Sequence, residues 1–117
     1  MDVLRSRLRR ALAALAALVA RRRYRILATV AHADEVPDEL PRRGAVLVGE
    51  PGAAKWLVFD CPCRERHRVM LNLDPTRSPR WFASGGERLT ISPSVDAPSA
   101  RGRCHYFVRD GRVHWVE

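Results

Sequence analysis

Residues 104–117, CHYFVRDGRVHWVE, decide the fold. Asp110-Gly111 between two alternating apolar runs is the signal of a two-residue type I′ hairpin, because both turn positions need positive φ and Asp-Gly tolerates it. The register follows from the turn. Arg109 faces Arg112, Val108 faces Val113, Phe107 faces His114, Tyr106 faces Trp115 and His105 faces Val116. Tyr106, Val108, Val113 and Trp115 then share one face, the expected core face, with Cys104 on the same side. His105, Phe107 and His114 point the other way, since neighbours along a strand project to opposite faces. Cys104 and His105 can therefore meet one ion together only if the strand starts later, so one of the two is the expected ligand.

Working back from the hairpin, the chain reads as short strands separated by turn residues. Residues 25–33 (RILATVAHA), 45–49, 55–60, 68–73, 80–83 and 88–95 are strand candidates, rich in β-branched, apolar or aromatic side chains. Asp34 to Arg43 is an acidic connection punctuated by proline, and Glu50-Pro51-Gly52, Ser78-Pro79, Ser84-Gly85-Gly86 and Asp96-Ala97-Pro98-Ser99 mark loops. Ahead of the strands, Leu4, Leu8, Ala11, Leu15 and Leu18 step by four, three, four and three, and no Gly or Pro interrupts residues 3–24, so a helix is predicted there. The fold class is α+β: an N-terminal amphipathic helix (residues 1–25), then a small, mostly antiparallel β domain (residues 26–117) stabilised by one zinc site.

The 117 residues suffice for one small core, and 46% hydrophobic with 29% charged residues is ordinary for a folded chain. The longest apolar run, residues 11–20, stops at Arg21-Arg22-Arg23, short of a bilayer span. The formal charge of +8 is unevenly placed. Residues 1–25 carry eight Arg against Asp2 alone, whereas the rest holds 13 basic and 12 acidic side chains. Any phosphate binding would thus act almost wholly through the helix. The stripe through Leu4, Leu8, Leu15 and Leu18 must be covered by the β domain, a second copy, a partner or a membrane surface. Three cysteines are too few for a disulfide scaffold, and three arginines stand where a signal peptide would need its cleavage region, so a cytoplasmic protein is expected.

Chemistry concentrates in Cys61-Pro62-Cys63, His67 and the Cys104-His105 pair. Pro62 biases Cys61 toward extended backbone, where residues i and i+2 project to one side, so both thiols can meet one metal. His67 lies a turn away. Cys104 or His105 would complete a closed, four-coordinate structural zinc site, and mixed sulfur and nitrogen ligation favours zinc over copper or iron. The bland alternative is three buried thiols packing as small hydrophobes beside surface histidines.

The sequence also resembles a known family. VPDEL at residues 36–40, the Cys61-Pro62-Cys63 knuckle followed by a strand, Trp81 with Gly85-Gly86, LTISPSV at residues 89–95, and CHYFVRDGRVHW at residues 104–115 are similar to the domain of unknown function 6527, a group of short bacterial proteins. The likeness covers about residues 26–117 and leaves out the helix. It implies an accessory role beside ubiquitin-like proteins and their E1-like, E2-like and JAB-type peptidase partners. The family usually carries a third cysteine where this chain has Glu65, so His67, or less directly Glu65, is the expected substitute.

Three functions compete. The first is a noncatalytic, zinc-stabilised adaptor, E3-like in action, that binds E2-like or E1-like enzymes or the ubiquitin-like protein and uses Leu4, Leu8, Leu15 and Leu18 for docking or self-association. The second is a nucleic-acid-binding module using the Arg-rich helix. The third is a hydrolase with Ser92 or Ser94, His105 and Asp110 as nominal parts; no G-x-S-x-G or H-E-x-x-H motif supports it, and Asp110 is better explained by the turn. The expectation is accordingly of no catalytic residues.

Overall fold

Ala, Leu and Arg, all strong helix formers, carry helix α1 over Asp2–Arg21. The computed structural model describes the backbone of residues 2–117 and, within α1, the side chains only as far as Leu15, so the expectation for the Leu18 side chain lies outside the described residues. Val3, Leu4, Leu8, Leu12 and Leu15 are 57% to 71% exposed. Among the described residues, the helix stripe therefore finds no cover on the β domain.

Eight strands follow: β1 (Arg25–Val30), β2 (Gly44–Glu50), β3 (Ala53–Asp60), β4 (Arg68–Asn72), β5 (Phe82–Ser84), β6 (Thr90–Ser99), β7 (Gly102–Arg109) and β8 (Arg112–Trp115). A single 3-10 turn, Ala33–Glu35, sits in the acidic connection. The strands form two four-stranded sheets, β1-β2-β3-β4 and β5-β6-β7-β8. Only β1 and β2 are parallel; every other pairing is antiparallel. The predicted class, one N-terminal helix and then mostly antiparallel β structure, is the observed one.

Alternation places the core between the sheets. Leu57, Phe59, Val69 and Leu71 of the first sheet pack in one cluster with Ile91, Val95, Ala97, Tyr106 and Val108 of the second. Tyr24, at the entry to β1, ties the layers together. Its ring meets Phe59 edge-on at 5.4 Å, and its hydroxyl donates to the Asp60 carbonyl at 2.6 Å. Its backbone N–H donates to the Gly111 carbonyl at 2.8 Å, and Leu89 N–H donates to the Tyr24 carbonyl at 3.0 Å.

The final hairpin has the predicted register, with Tyr106 opposite Trp115, Phe107 opposite His114, Val108 opposite Val113 and Arg109 opposite Arg112. Val116 N–H extends the ladder to the His105 carbonyl at 3.0 Å. Asp110 and Gly111 take φ of 53° and 77°, as a type I′ turn requires. Trp115 departs from expectation. It stacks edge-on against Tyr106 at 5.2 Å but remains 51% exposed, because β8 is the last strand of its sheet and nothing closes over its end.

A second correction concerns Asp96-Ala97-Pro98-Ser99, expected as a loop and found inside β6. β5 pairs only with Thr90, Ile91 and Ser92, so beyond Ser92 the strand has a strand neighbour on the β7 side alone. Pro98 occupies that free edge, where a missing N–H removes no ladder bond. Strand β1 also ends earlier than expected, at Val30, and β5 starts later, at Phe82.

Candidate functional site

Chemistry gathers on the two faces of β7. On the inward face, the β3–β4 connection folds back on itself: Cys61 N–H donates to the His67 carbonyl at 2.8 Å and Arg66 N–H to the Cys63 carbonyl at 3.2 Å, with Arg66 at φ 48°. This tight knuckle brings Cys61, Cys63 and His67 to Cys104 at the start of β7, and one ligand atom from each lies within 4.8 Å of all the others. Zinc bound to thiolates at about 2.3 Å needs sulfurs roughly 3.8 Å apart, so the four groups could close on one ion with little adjustment.

Two further observations fit a metal there. His67 Nε2 is buried without a hydrogen-bond partner while its Nδ1 faces Cys63 Sγ at 3.4 Å. The Tyr106 hydroxyl is likewise buried and unpartnered. Buried polar groups are ordinarily satisfied, and a metal-bound thiolate is a stronger acceptor than a neutral thiol. Electrostatics separate the two knuckle thiols. Burial pushes the Cys61 thiol up to about 12, only partly offset by the Cys63 backbone N–H. At Cys63 burial also raises the value, but the Cys61 thiol and the Arg66 and Glu65 backbone N–H groups outweigh it and lower the net result. Glu65 itself stays outside the cluster, accepting from Ala100 N–H at 3.2 Å and pairing with Arg101 at 3.8 Å.

His105 is turned away from this cluster by the alternation of β7. It lies on the outward face, beside Phe107 at 6.5 Å, and its Nε2 is 2.9 Å from Ser94 Oγ. Ser94 reaches it through an irregularity in β6. Ile91 pairs with Val108 and Val95 with Tyr106, so Ser92, Pro93 and Ser94 stand opposite Phe107 alone. Bulges of this kind re-aim side chains. Trp81 Nε1 fixes the same backbone by donating to the Ser94 carbonyl at 3.2 Å. A nucleophile and a base at hydrogen-bond distance form the core of a covalent hydrolase site.

Of the nominal hydrolase parts, Ser94 and His105 meet and the others do not. Ser92 is exposed and pairs with Phe82. Asp110 remains at the hairpin turn, where its carboxylate pairs with Arg23 at 3.4 Å and Arg88 at 3.7 Å. Asp96 stands opposite His105 in register, but its carboxylate accepts from Arg103 Nε at 2.8 Å. Among the described residues, no carboxylate hydrogen-bonds His105.

No helix among the described residues is long and apolar enough to cross a membrane. No curated protein and no solved structure matches the chain. A family model does match, over residues 32–116, and its description is bacterial ubiquitination-like system serine protease (BubE). The match supports the ubiquitin-like context implied by the sequence resemblance, under a different family description. It spans the strands that carry both constellations, and on that extent the chain belongs to the bacterial ubiquitination-like system serine protease (BubE) family.

Proposed function

We propose that this protein is a serine peptidase of a bacterial ubiquitin-like conjugation system, with Ser94 as nucleophile and His105 as general base. The observation that carries the reading is the 2.9 Å contact between Ser94 Oγ and His105 Nε2. Its substrate class is the peptide or isopeptide bond following a ubiquitin-like protein. In this reading Ser94 Oγ attacks the scissile carbonyl as its proton passes to His105 Nε2. Collapse expels the amine, which takes that proton and leaves Ser94 acylated. Water then attacks the ester, His105 takes and returns a proton, and the carboxylate product leaves with the serine hydroxyl restored. The role requires His105 to hold its own proton on Nδ1. Past Ser92 the free edge of β6 could receive an extended substrate tail by main-chain hydrogen bonds.

Cys61, Cys63, His67 and Cys104 are the proposed ligands of one structural zinc. When bound, zinc supplies a closed cross-link between the knuckle and β7. Ubiquitin-like proteins and their E1-like and E2-like enzymes are the proposed partners. The dyad favours catalysis over a noncatalytic, E3-like adaptor, which would have no use for a serine held against an imidazole on a strand edge.

A fluorophosphonate probe tests the assignment. It should label the intact protein once, on Ser94 by peptide mass mapping, and should not label the Ser94→Ala protein. Label on another residue, or undiminished labelling of that variant, would remove the reading.

A further inference from the structure

A large surface that neither constellation uses is α1. We propose that α1 is an interfacial anchor that lies on an anionic lipid bilayer and holds the β domain against the membrane surface. At about 100° per residue, Leu4, Leu8, Leu12 and Leu15 fall within an arc of about 80°, while Arg5 and Arg9 border it on one side and Arg7 and Arg10 lie beyond the other. All four leucines stand open to solvent. A helix with this apolar arc and flanking guanidinium groups suits the interface: the leucines enter the acyl boundary while the arginine stems lie along it and their heads reach the phosphates.

Charge selects among possible occupants. Residues 1–25 carry eight Arg against one Asp, so a second copy of the helix would bring two strongly cationic surfaces together. Anionic headgroups complement that charge, because the negative surface potential of an acidic leaflet attracts basic residues lying near it. Nucleic acid would satisfy the arginines but leave the leucines in water. Acidic lipid satisfies both faces at once. At 20 residues α1 is about 30 Å long, but its arginines do not permit it to span, so it lies in the plane.

The full-length protein should co-sediment with vesicles of phosphatidylglycerol and phosphatidylcholine mixed equally, and at least tenfold less with phosphatidylcholine alone. A Leu8→Glu, Leu12→Glu double variant should lose at least tenfold in binding to the mixed vesicles. Because these side chains are exposed and lie outside the core cluster, labelling of the β domain by a fluorophosphonate should be unchanged, which separates a failed anchor from a failed peptidase assignment. Three results would overturn the anchor: no sedimentation with the anionic vesicles, equal binding by the double variant, or a stable dimer in light scattering that the same double variant dissociates.

Discussion

Replacing Ser94 by Ala removes one oxygen and is expected to abolish covalent catalysis while leaving the fold standing. Ser94 is half-buried, and its hydroxyl makes a single side-chain contact, to His105 at 2.9 Å. Losing such a bond costs about 1 kcal/mol of stability. The kinetic cost is much larger. A positioned general base contributes roughly 10² to 10⁴ in rate, equivalent to about 3 to 5 kcal/mol of barrier, so His105→Ala should lower kcat by at least that factor. Ser94→Ala removes the nucleophile as well and should fall at least as far. Because the two side chains act as one unit, the double variant should be no slower than the worse single variant. Ser92→Ala is the internal control: it lies two residues away, is exposed and pairs with Phe82, whereas the hydroxyl bonded to His105 is that of Ser94. The assay is cleavage of the cognate ubiquitin-like protein carrying a C-terminal extension, followed by intact mass. If Ser94→Ala retained activity within tenfold of the parent, or if Ser92→Ala were equally damaging, the dyad would not be the reaction centre.

Elemental analysis of the purified protein should find about one zinc per chain; Cys61→Ser, Cys63→Ser, His67→Ala and Cys104→Ser should each lower that content and the Tm, whereas Glu65→Ala and His105→Ala should not. Equal zinc in Cys104→Ser would show that β7 contributes no ligand. The pH dependence has a definite sign. Burial pushes the Cys61 thiol up to about 12, so the metal-free site holds its proton at neutral pH, and zinc uptake must displace it. Acid therefore favours the metal-free form, and zinc captured by a chromogenic chelator should appear faster as pH falls; release independent of pH would contradict thiolate ligation. At the hairpin turn, a Cβ on Gly111 would come 2.7 Å from Arg23 Cβ and 3.0 Å from the Tyr24 carbonyl, whereas one on Gly52 meets nothing, although both glycines have positive φ. Urea denaturation should accordingly show Gly111→Ala to be less stable than Gly52→Ala, with backbone strain of about 1 to 3 kcal/mol common to both and the collision confined to Gly111.

The final hairpin was legible because a two-residue turn fixes register and register fixes facing. The same parity separated Cys104 from His105, and the structure gives the inward position to Cys104 beside the knuckle. What strand alternation did not disclose was the meeting of Ser94 with His105. In LTISPSV the apolar residues Leu89, Ile91 and Val95 keep one parity throughout, which reads as an uninterrupted strand. The signal lay in Pro93, the intervening position of that same parity: it is exposed, where a continuous strand would have buried it. A proline within a strand marks a bulge or an edge, and here the bulge presents Ser94 while the end of β5 leaves the edge open. The open helix stripe escaped for another reason. Amphipathicity tells a helix to find a cover but does not specify where that cover lies.

One peptide bond separates the two chemistries of β7. Cys104 points inward to the knuckle and His105 outward to Ser94, so whatever holds the first residue limits the freedom of the second. The β ladder pairs His105 with Asp96 on one side, next to the bulge at residues 92–94, and on the other the Val116 N–H donates to the His105 carbonyl. A dyad contact of 2.9 Å tolerates little play, since a displacement of about 1 Å can cost two orders of magnitude in rate. In a chain with so small a core, zinc bound at Cys61, Cys63, His67 and Cys104 would tie the first sheet to β7 next to the proposed general base. In the proposed reading, a zinc held by the cluster and the Ser94–His105 dyad would be parts of one device, in which alternation along a single strand turns an interior cross-link into a fixed imidazole at the surface.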